Sequence, residues 1–245
     1  MHSNIEVSAV LLSQEQKQWL LSLSGHLSMQ NGYSLDSLVN TNKNYTQEGI
    51  IRGNQSVLKN AYGVNSKEDL INTFDAFCNT NRSQHFMMCM AEHVRQDLIS
   101  KRYHVDRDQN ENRGTELGIM LGWGERHKTY LARCGIRAFD IGRYAFLCRC
   151  GVTVGLITED EAWYYLARIG KVAQPLFTNW QEFATSYIVG RCVWLEIETK
   201  DYDFDSNFNF RYDVAGKVND AAQDLKMILS DDDHPWCQLN WEIVI

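Results

Sequence analysis

The sequence predicts an all-α protein: a single globular multi-helix domain with at most a minor short strand element. Three observations predict it. Only 2 of 245 residues are proline, the residue that most damages a helix interior by removing a donor and clashing with the preceding turn. Apolar residues recur three and four apart along most of the chain, which sets them on one face of a helix. Helix-start signals, a hydroxyl or amide residue followed three places later by an acid or glutamine, precede several of these runs.

Ser13 with Gln16 opens the first helix, where Trp19, Leu23 and Leu27 recur until Asn31-Gly32 stops the run. A second covers Gln47 to Tyr62, with Ile50, Ile51, Leu58 and Ala61 inward and Gly63 as its stop. Ser66 with Asp69 opens a third, whose stripe is Leu70, Phe74, Phe77 and Cys78. A fourth spans about 83–101 and carries Phe86, Met90 and Val94, and the polar stretch HVDRDQNENRG after it reads as a loop. Further helices are expected near 115–132, 136–150, 159–173, 179–196 and 212–229, two of them opened by Thr158 with Glu161 and by Asn179 with Glu182. Alternation at 193–197 and in the terminal WEIVI competes weakly for short strands. Residues 1–45 form an N-terminal helical segment, expected to pack with 46–245 as one globular unit.

The composition is that of an ordinary globular chain, 44% hydrophobic and 22% charged. No apolar run reaches the roughly 18 residues a membrane span needs, and the N-terminus lacks the basic and apolar regions of a secretory signal. A formal charge of -7 argues against broad nucleic-acid binding, which needs a basic surface to neutralise phosphates. Seven scattered cysteines with no CxxC pair read as reduced, buried thiols of a cytoplasmic protein rather than a disulfide framework.

Helical geometry, about 100° per residue, converts position into direction. It places Asp140 and Arg143 in the arc of Ile136, Phe139, Phe146 and Leu147, and Arg191 amid Trp180, Phe183, Ala184, Tyr187 and Trp194. Glu161, Arg168 and Lys171 fall away from their helix's apolar stripe and read as solvated. A buried charge must be paired or hydrogen-bonded. Asp140, Arg143 and Arg191 are therefore the candidate polar cluster, surrounded by Phe139, Trp163, Trp180, Tyr187 and Trp194. Two arginines against one aspartate leave a positive surplus, for which another carboxylate, helix-end carbonyls or a small anionic ligand are the alternatives. The cluster reads either as a clamp between helices or as an anion site.

RAFDIGRYAFLCRCGVTVGLITEDEAWYYL, NWQEFATSYIVGRCVW and HPWCQLNW together resemble the bacterial DUF1266 (YbeU/YbeR-like) family. The resemblance is carried by Phe139, Asp140, Arg143, Glu161, Ala162, Trp163, Trp180, Phe183, Tyr187, Gly190, Arg191, Trp194, Pro235 and Trp236. LKNAYGVNSKEDLINTF fits as well, so it extends from about residue 46 onward. The first motif often reads Trp-Asp where this chain has Phe139-Asp140, a conservative departure. The resemblance sharpens the fold and confers no activity.

Other constellations carry less. His85, Cys89 and His93 recur every four residues, but the outer two stand about 12 Å apart along a helix and cannot share one metal ion. DYDFDSNFNF, 201–210, lacks the glycine and glutamate of a calcium loop. Asp231-Asp232-Asp233-His234 reads as a solvated helix exit. Arg126, Lys128, Arg133, Arg137, Arg143 and Arg149 make the middle of the chain basic, spread around two helices as a solvated or partly paired surface. Gly122-Trp-Gly124 has neither dinucleotide nor phosphate-loop context, and no nucleophile elbow is present. No metal or cofactor is expected. With acid, base and nucleophile signatures missing and Trp, Tyr and Arg plentiful, the sequence points to a non-catalytic cytoplasmic interaction protein with a protein partner. The alternative is an enzyme or toxin-like effector holding an anionic substrate through Asp140, Arg143 and Arg191.

Overall fold

The computed structural model describes residues 11–78, 86–88, 90–91, 116–131, 133–199 and 212–245. All regular structure among them is helical, as the sequence predicts. In chain order the helices are α1 (Gln14–Ser22), α2 (Gly25–Gln30), α3 (Gln47–Tyr62), α4 (Lys67–Cys78), α5 (Glu116–Leu131), α6 (Arg137–Thr153), α7 (Glu159–Ala173), α8 (Trp180–Thr199), α9 (Tyr212–Ser230) and α10 (Pro235–Gln238), with a short 3-10 turn at Gln174–Leu176. The 193–197 segment lies inside α8 and the terminal five residues form no strand, so helix wins at both places where alternation competed. The expected loop at 104–114, the 201–210 segment and the His85, Cys89 and His93 stripe lie outside the described residues.

The start signals work as the spacing implies. Ser13 Oγ accepts from Gln16 N at 3.1 Å while Gln16 Oε1 accepts from Ser13 N at 2.7 Å, and Thr158 with Glu161 builds the same reciprocal pair on α7. Such caps satisfy amides that the first turn leaves without partners. Gly63 ends α3 at φ 68°, where Val64 N reaches back to the Leu58 carbonyl at 2.9 Å, a left-handed stop that suits glycine. The first apolar run is not one helix, however. It breaks between α1 and α2 at Leu23-Ser24, where Ser24 Oγ turns back to the Leu21 carbonyl at 2.7 Å. On α3 the inward face holds Ile50, Asn54 and Leu58, while Ala61 is exposed.

The chain divides into two compact units. The first comprises 1–79, 141–181 and 228–245, and the second 80–140 and 182–227. The first unit centres on tryptophans. Trp19 and Trp180 lie 5.4 Å apart, Trp19 and Trp241 4.9 Å, Trp180 and Trp241 4.7 Å, and Trp236 stacks on Trp180 at 5.8 Å. Three of the indoles also donate: Trp236 Nε1 to the Ser22 carbonyl, Trp180 Nε1 to Leu239 and Trp241 Nε1 to Gln174. These three indoles are thus buried without stranding their N–H groups, whereas Trp19, also fully buried, has no hydrogen-bond partner for Nε1 among the described residues. Phe74 packs on Tyr144 and Tyr165 at 4.5 and 4.9 Å, and the part of α6 in this unit is buried on nearly every side from Ile141 to Cys150, as a helix without a polar face requires.

The second unit packs Phe86, Ile119, Met120, Leu131, Ile136, Val189, Val193 and Ile197 into one core. Ser186 fastens the entry to α6, donating to the Gly135 carbonyl at 2.8 Å and accepting from Ala138 N at 3.1 Å. Gly190 lets α8 approach closely: a Cβ there would stand 2.6 Å from Phe139 Cβ and 3.1 Å from the Ile136 carbonyl oxygen. Backbone cannot yield as a flexible side chain does. Gly190→Ala is therefore expected to destabilise the fold by about 1–3 kcal/mol, read as a lower denaturant midpoint in chemical unfolding.

Candidate functional site

Below α2 the chain turns sharply and walls a cleft in the first unit. Gly32 adopts φ 65°, and a Cβ there would meet Asn42 Nδ2 at 2.6 Å, so both conformation and space call for glycine. From this turn the chain runs out and back, with Ser34 N donating to the Thr41 carbonyl at 3.0 Å and Tyr45 N to that of Asn42 at 3.2 Å. Ser34 Oγ donates to Asp36 Oδ2 at 2.6 Å, and Gln18 Nε2 on α1 donates to the Leu35 carbonyl. The facing wall is the 231–239 segment with α10. The cleft has a volume of about 950 Å³ and is lined by Tyr33, Asp36, Tyr45, Asp231, Asp233 and His234 among others.

What fixes the 33–45 wall lies behind it. Arg149 on α6 has no exposed surface. Its Nη1 donates to Ser28 Oγ at 2.5 Å and Ser24 Oγ at 3.4 Å, and its Nη2 donates to the carbonyls of Ser34 and, at 3.0 Å, Ser37. A planar fork with several donors can hold a stretch of backbone in this way, where an ammonium could not. Its hydrogen-bond partners are two hydroxyls and two carbonyls, and Nε has none among the described residues. Burial pulls its pKa down to about 10, opposed by Cys150, Tyr33 and Asp36, so the guanidinium stays charged at neutral pH. Burial equally raises Cys150, to about 12, and the Tyr33 phenol.

A ring of amides completes the anchor. Asn40 N donates to Thr153 Oγ1 at 2.8 Å, and Thr153 Oγ1 donates to the Arg149 carbonyl at 2.6 Å. Asn40 Nδ2 donates to Asn54 Oδ1 at 2.7 Å, and Asn54 Nδ2 serves both the Ile50 carbonyl and Tyr33 Oη, at 2.7 and 3.1 Å. Asn40 and Asn54 are themselves fully buried. Such a network rigidifies when nearly all its members are satisfied.

The residues singled out from the sequence fall as follows. Asp140 is buried, at 3% exposure. Arg143 is half-buried, its guanidinium 4.7 Å above the Phe77 ring. Arg191 is half-buried on α8, and its Nε is enclosed. Phe139 meets Tyr187 edge-on at 5.5 Å and Trp194 at 6.2 Å. Trp180 belongs to the tryptophan cluster of the first unit, and half-buried Trp163 carries Lys17 over its ring at 5.3 Å. Glu161 and Arg168 are not simply solvated: they pair with Lys67 and Asp75 at 2.5 and 2.9 Å. The larger correction concerns Arg149, which is no part of a basic surface. A carboxylate was not needed to bury it, because a guanidinium can be satisfied by carbonyls and hydroxyls. The Asp231-Asp232-Asp233 exit is exposed as expected. His234 beyond it is a helix cap, its Nδ1 accepting from Trp236 N at 3.1 Å.

Fold and site define an all-α protein with a cleft of mixed polar and apolar lining, and no helix among the described residues is long and apolar enough to cross a membrane. The chain belongs to the DUF1266 family: the family described as "Protein of unknown function (DUF1266)" matches residues 57–241. It is similar to the uncharacterized protein YbeU of Escherichia coli K12, 26% identical over 171 residues, which are 65% of this chain and 66% of YbeU. It is also similar to the uncharacterized protein YbeR of the same strain, 29% identical over 108 residues, 44% of this chain and 45% of YbeR. The matched stretches thus span less than two-thirds of either relative. No solved structure matches the chain.

Two measurements check the site. Arg149→Met is expected to cost about 2–4 kcal/mol, because it leaves two carbonyls and two hydroxyls dry; Arg149→Lys keeps the charge, loses the fork and should recover only part of that, by denaturant unfolding. His234 supplies a pH dependence. Burial holds its pKa below the ordinary value, with Asp231 pulling the other way. The unfolded chain therefore takes up the proton first. The stability given by the neutral imidazole is complete above about pH 6.5 and is lost as pH falls through that value toward the lower folded one. His234→Asn keeps a capping acceptor without titrating, so its Tm should fall less than wild type between about pH 7 and pH 5. His127, also held down by burial, contributes equally to both proteins and cancels in the difference.

Proposed function

We propose that the protein is a non-catalytic interaction module and that its cleft receives a segment of a partner protein. The observation that carries this reading is the anchoring of the 33–45 wall by fully buried Arg149. A surface loop ordinarily keeps its backbone groups in water. Here the chain places an enclosed guanidinium and two enclosed amides beneath one, which lowers the ordering cost a partner would otherwise meet. The lining supports recognition more than acid–base chemistry, since the imidazole in the wall commits Nδ1 to capping α10. Tyr45, 66% exposed on the rim, is the residue type favoured at binding hot spots. Four buried free thiols, Cys134, Cys148, Cys150 and Cys192, support work in the reducing cytoplasm.

A second reading, an anionic ligand held through Arg191, is favoured by the enclosed Arg191 Nε, which has no hydrogen-bond partner among the described residues. One pair of measurements separates the two. A photo-crosslinking residue at position 45, in cells of the native host, is expected to give a discrete protein adduct that the same residue at exposed position 59 on α3 does not. Absence of any adduct specific to position 45 would overturn the interaction reading. Stabilisation by phosphate or small carboxylates that Arg191→Ala abolishes would instead establish the anion site.

A further inference from the structure

Resting on the interaction reading above, we infer that the segment received by the cleft is cationic: an extended stretch of a partner protein bearing lysine or arginine. The cleft lining carries three carboxylates, Asp36, Asp231 and Asp233, against one ammonium, Lys43. The two sides of the cleft contribute separately to this balance. Asp36 stands on the 33–45 wall, its Oδ2 fixed by Ser34 Oγ. Asp231 and Asp233 stand on the facing segment, tied to each other by Asp233 N donating to Asp231 Oδ1 at 3.1 Å. All three are exposed, so their charge is presented to an incoming ligand rather than spent on burial.

The helix behind the second wall adds to the same sign. Ser230 ends α9 one residue before Asp231, and its last turn carries no basic residue. The partial negative charge of a helix C-terminus is commonly offset by lysine or arginine in that turn. Here three carboxylates, Asp231, Asp232 and Asp233, follow it instead. Such an arrangement is unfavourable to the free protein and is relieved by an external cation. Lys43, equally exposed, opposes these carboxylates and leaves the lining with a surplus of negative charge. Arg149 lies sealed behind the 33–45 wall, bonded to Ser34 and Ser37, and offers an incoming ligand no donor.

The remaining lining fits a main chain. Asn44, Gln47 and Gln238 each carry both a donor and an acceptor, as alternating N–H and C=O groups of an extended segment require. Tyr33 and Tyr45 add ring faces able to hold an ammonium or guanidinium. The observations thus favour a basic peptide over an acidic one, and a peptide over a compact ion.

Three labelled extended peptides, glycine-spaced with lysine, glutamine or glutamate, test this by fluorescence anisotropy against the full chain. The lysine peptide is expected to bind, with affinity falling between about 50 and about 300 mM salt as exposed charges are screened. Asp231→Asn with Asp233→Asn should weaken it by about tenfold at the lower salt. Because both residues are exposed and their charges oppose the C-terminus of α9, the double variant should melt no lower than wild type. Equal binding of the lysine peptide by wild type and double variant overturns the inference, as does binding of the glutamate peptide. Binding of the glutamine peptide alone, lost in Tyr45→Ala, overturns the cationic assignment while leaving the interaction module standing. Binding of free spermidine with no binding of the lysine peptide overturns the protein-segment assignment in favour of a polyamine. If no peptide binds and position 45 gives no crosslink, both readings fail together.

Discussion

A charged guanidinium without exposed surface can persist only if the protein replaces the water it has lost, and Arg149 does this with carbonyls and hydroxyls drawn from a single neighbouring stretch of chain. Ser24 and Ser28 hold one nitrogen, and the carbonyls of Ser34 and Ser37 hold the other. The constraint acts in both directions. Arg149 needs those oxygens to remain buried, and the stretch that supplies them needs Arg149 to keep its carbonyls out of water while staying irregular. The geometry of the first cleft wall follows from this one exchange. Gly32 supplies the turn that starts the wall, and Asn40 with Asn54 pins its return.

Buried polar anchoring and aromatic anchoring divide the work on the two walls. The 33–45 wall is held by hydrogen bonds, which are directional and fix backbone position. The 231–239 wall is held by Trp236, whose indole stacks on Trp180 and donates to the Ser22 carbonyl. Here a large buried area supplies the energy and one N–H supplies the register. Gly25 makes room for this, since a Cβ there would stand 3.1 Å from the Trp236 ring and 3.3 Å from His234. The two walls are held by different interactions but share supports in α1 and α2, through Gln18 and Ser28 on the first and Ser22 and Gly25 on the second.

Much of the fold was legible because its signals are local. Capping pairs at Ser13 and Thr158 and the stop at Gly63 involve residues three to six apart, and α7 begins and α3 ends where those signals place them. The break at Leu23-Ser24 was not legible, because Leu23 and Leu27 keep helical spacing across it and the tertiary role of Ser24 is invisible in periodicity. The site was less legible still. Face arithmetic on α6 presumes that one side meets water. Nearly the whole of 138–150 is enclosed, so direction from the axis carries no information about burial there. From the sequence alone Arg149, flanked by two cysteines, accordingly reads as surface. The one available signal was the spacing of Ser24 and Ser28, which places two hydroxyls one turn apart.

The same lesson bears on how charge is used in this chain. A buried arginine is usually sought beside a carboxylate, and that expectation directed attention to Asp140. Opposite charge is only one way of replacing hydration, and a costly one when both groups must be desolvated. Carbonyls that the fold must bury in any case serve a guanidinium without importing a second charge. This leaves the acids nearest the cleft, Asp36, Asp231 and Asp233, free of structural duty toward Arg149's hydrogen bonds and exposed on the lining. Of these acids Asp36 still acts on Arg149 through space, but none of the three supplies it with a hydrogen bond. The interior positive charge can build the wall while the surface negative charge remains available to whatever the wall was built to meet.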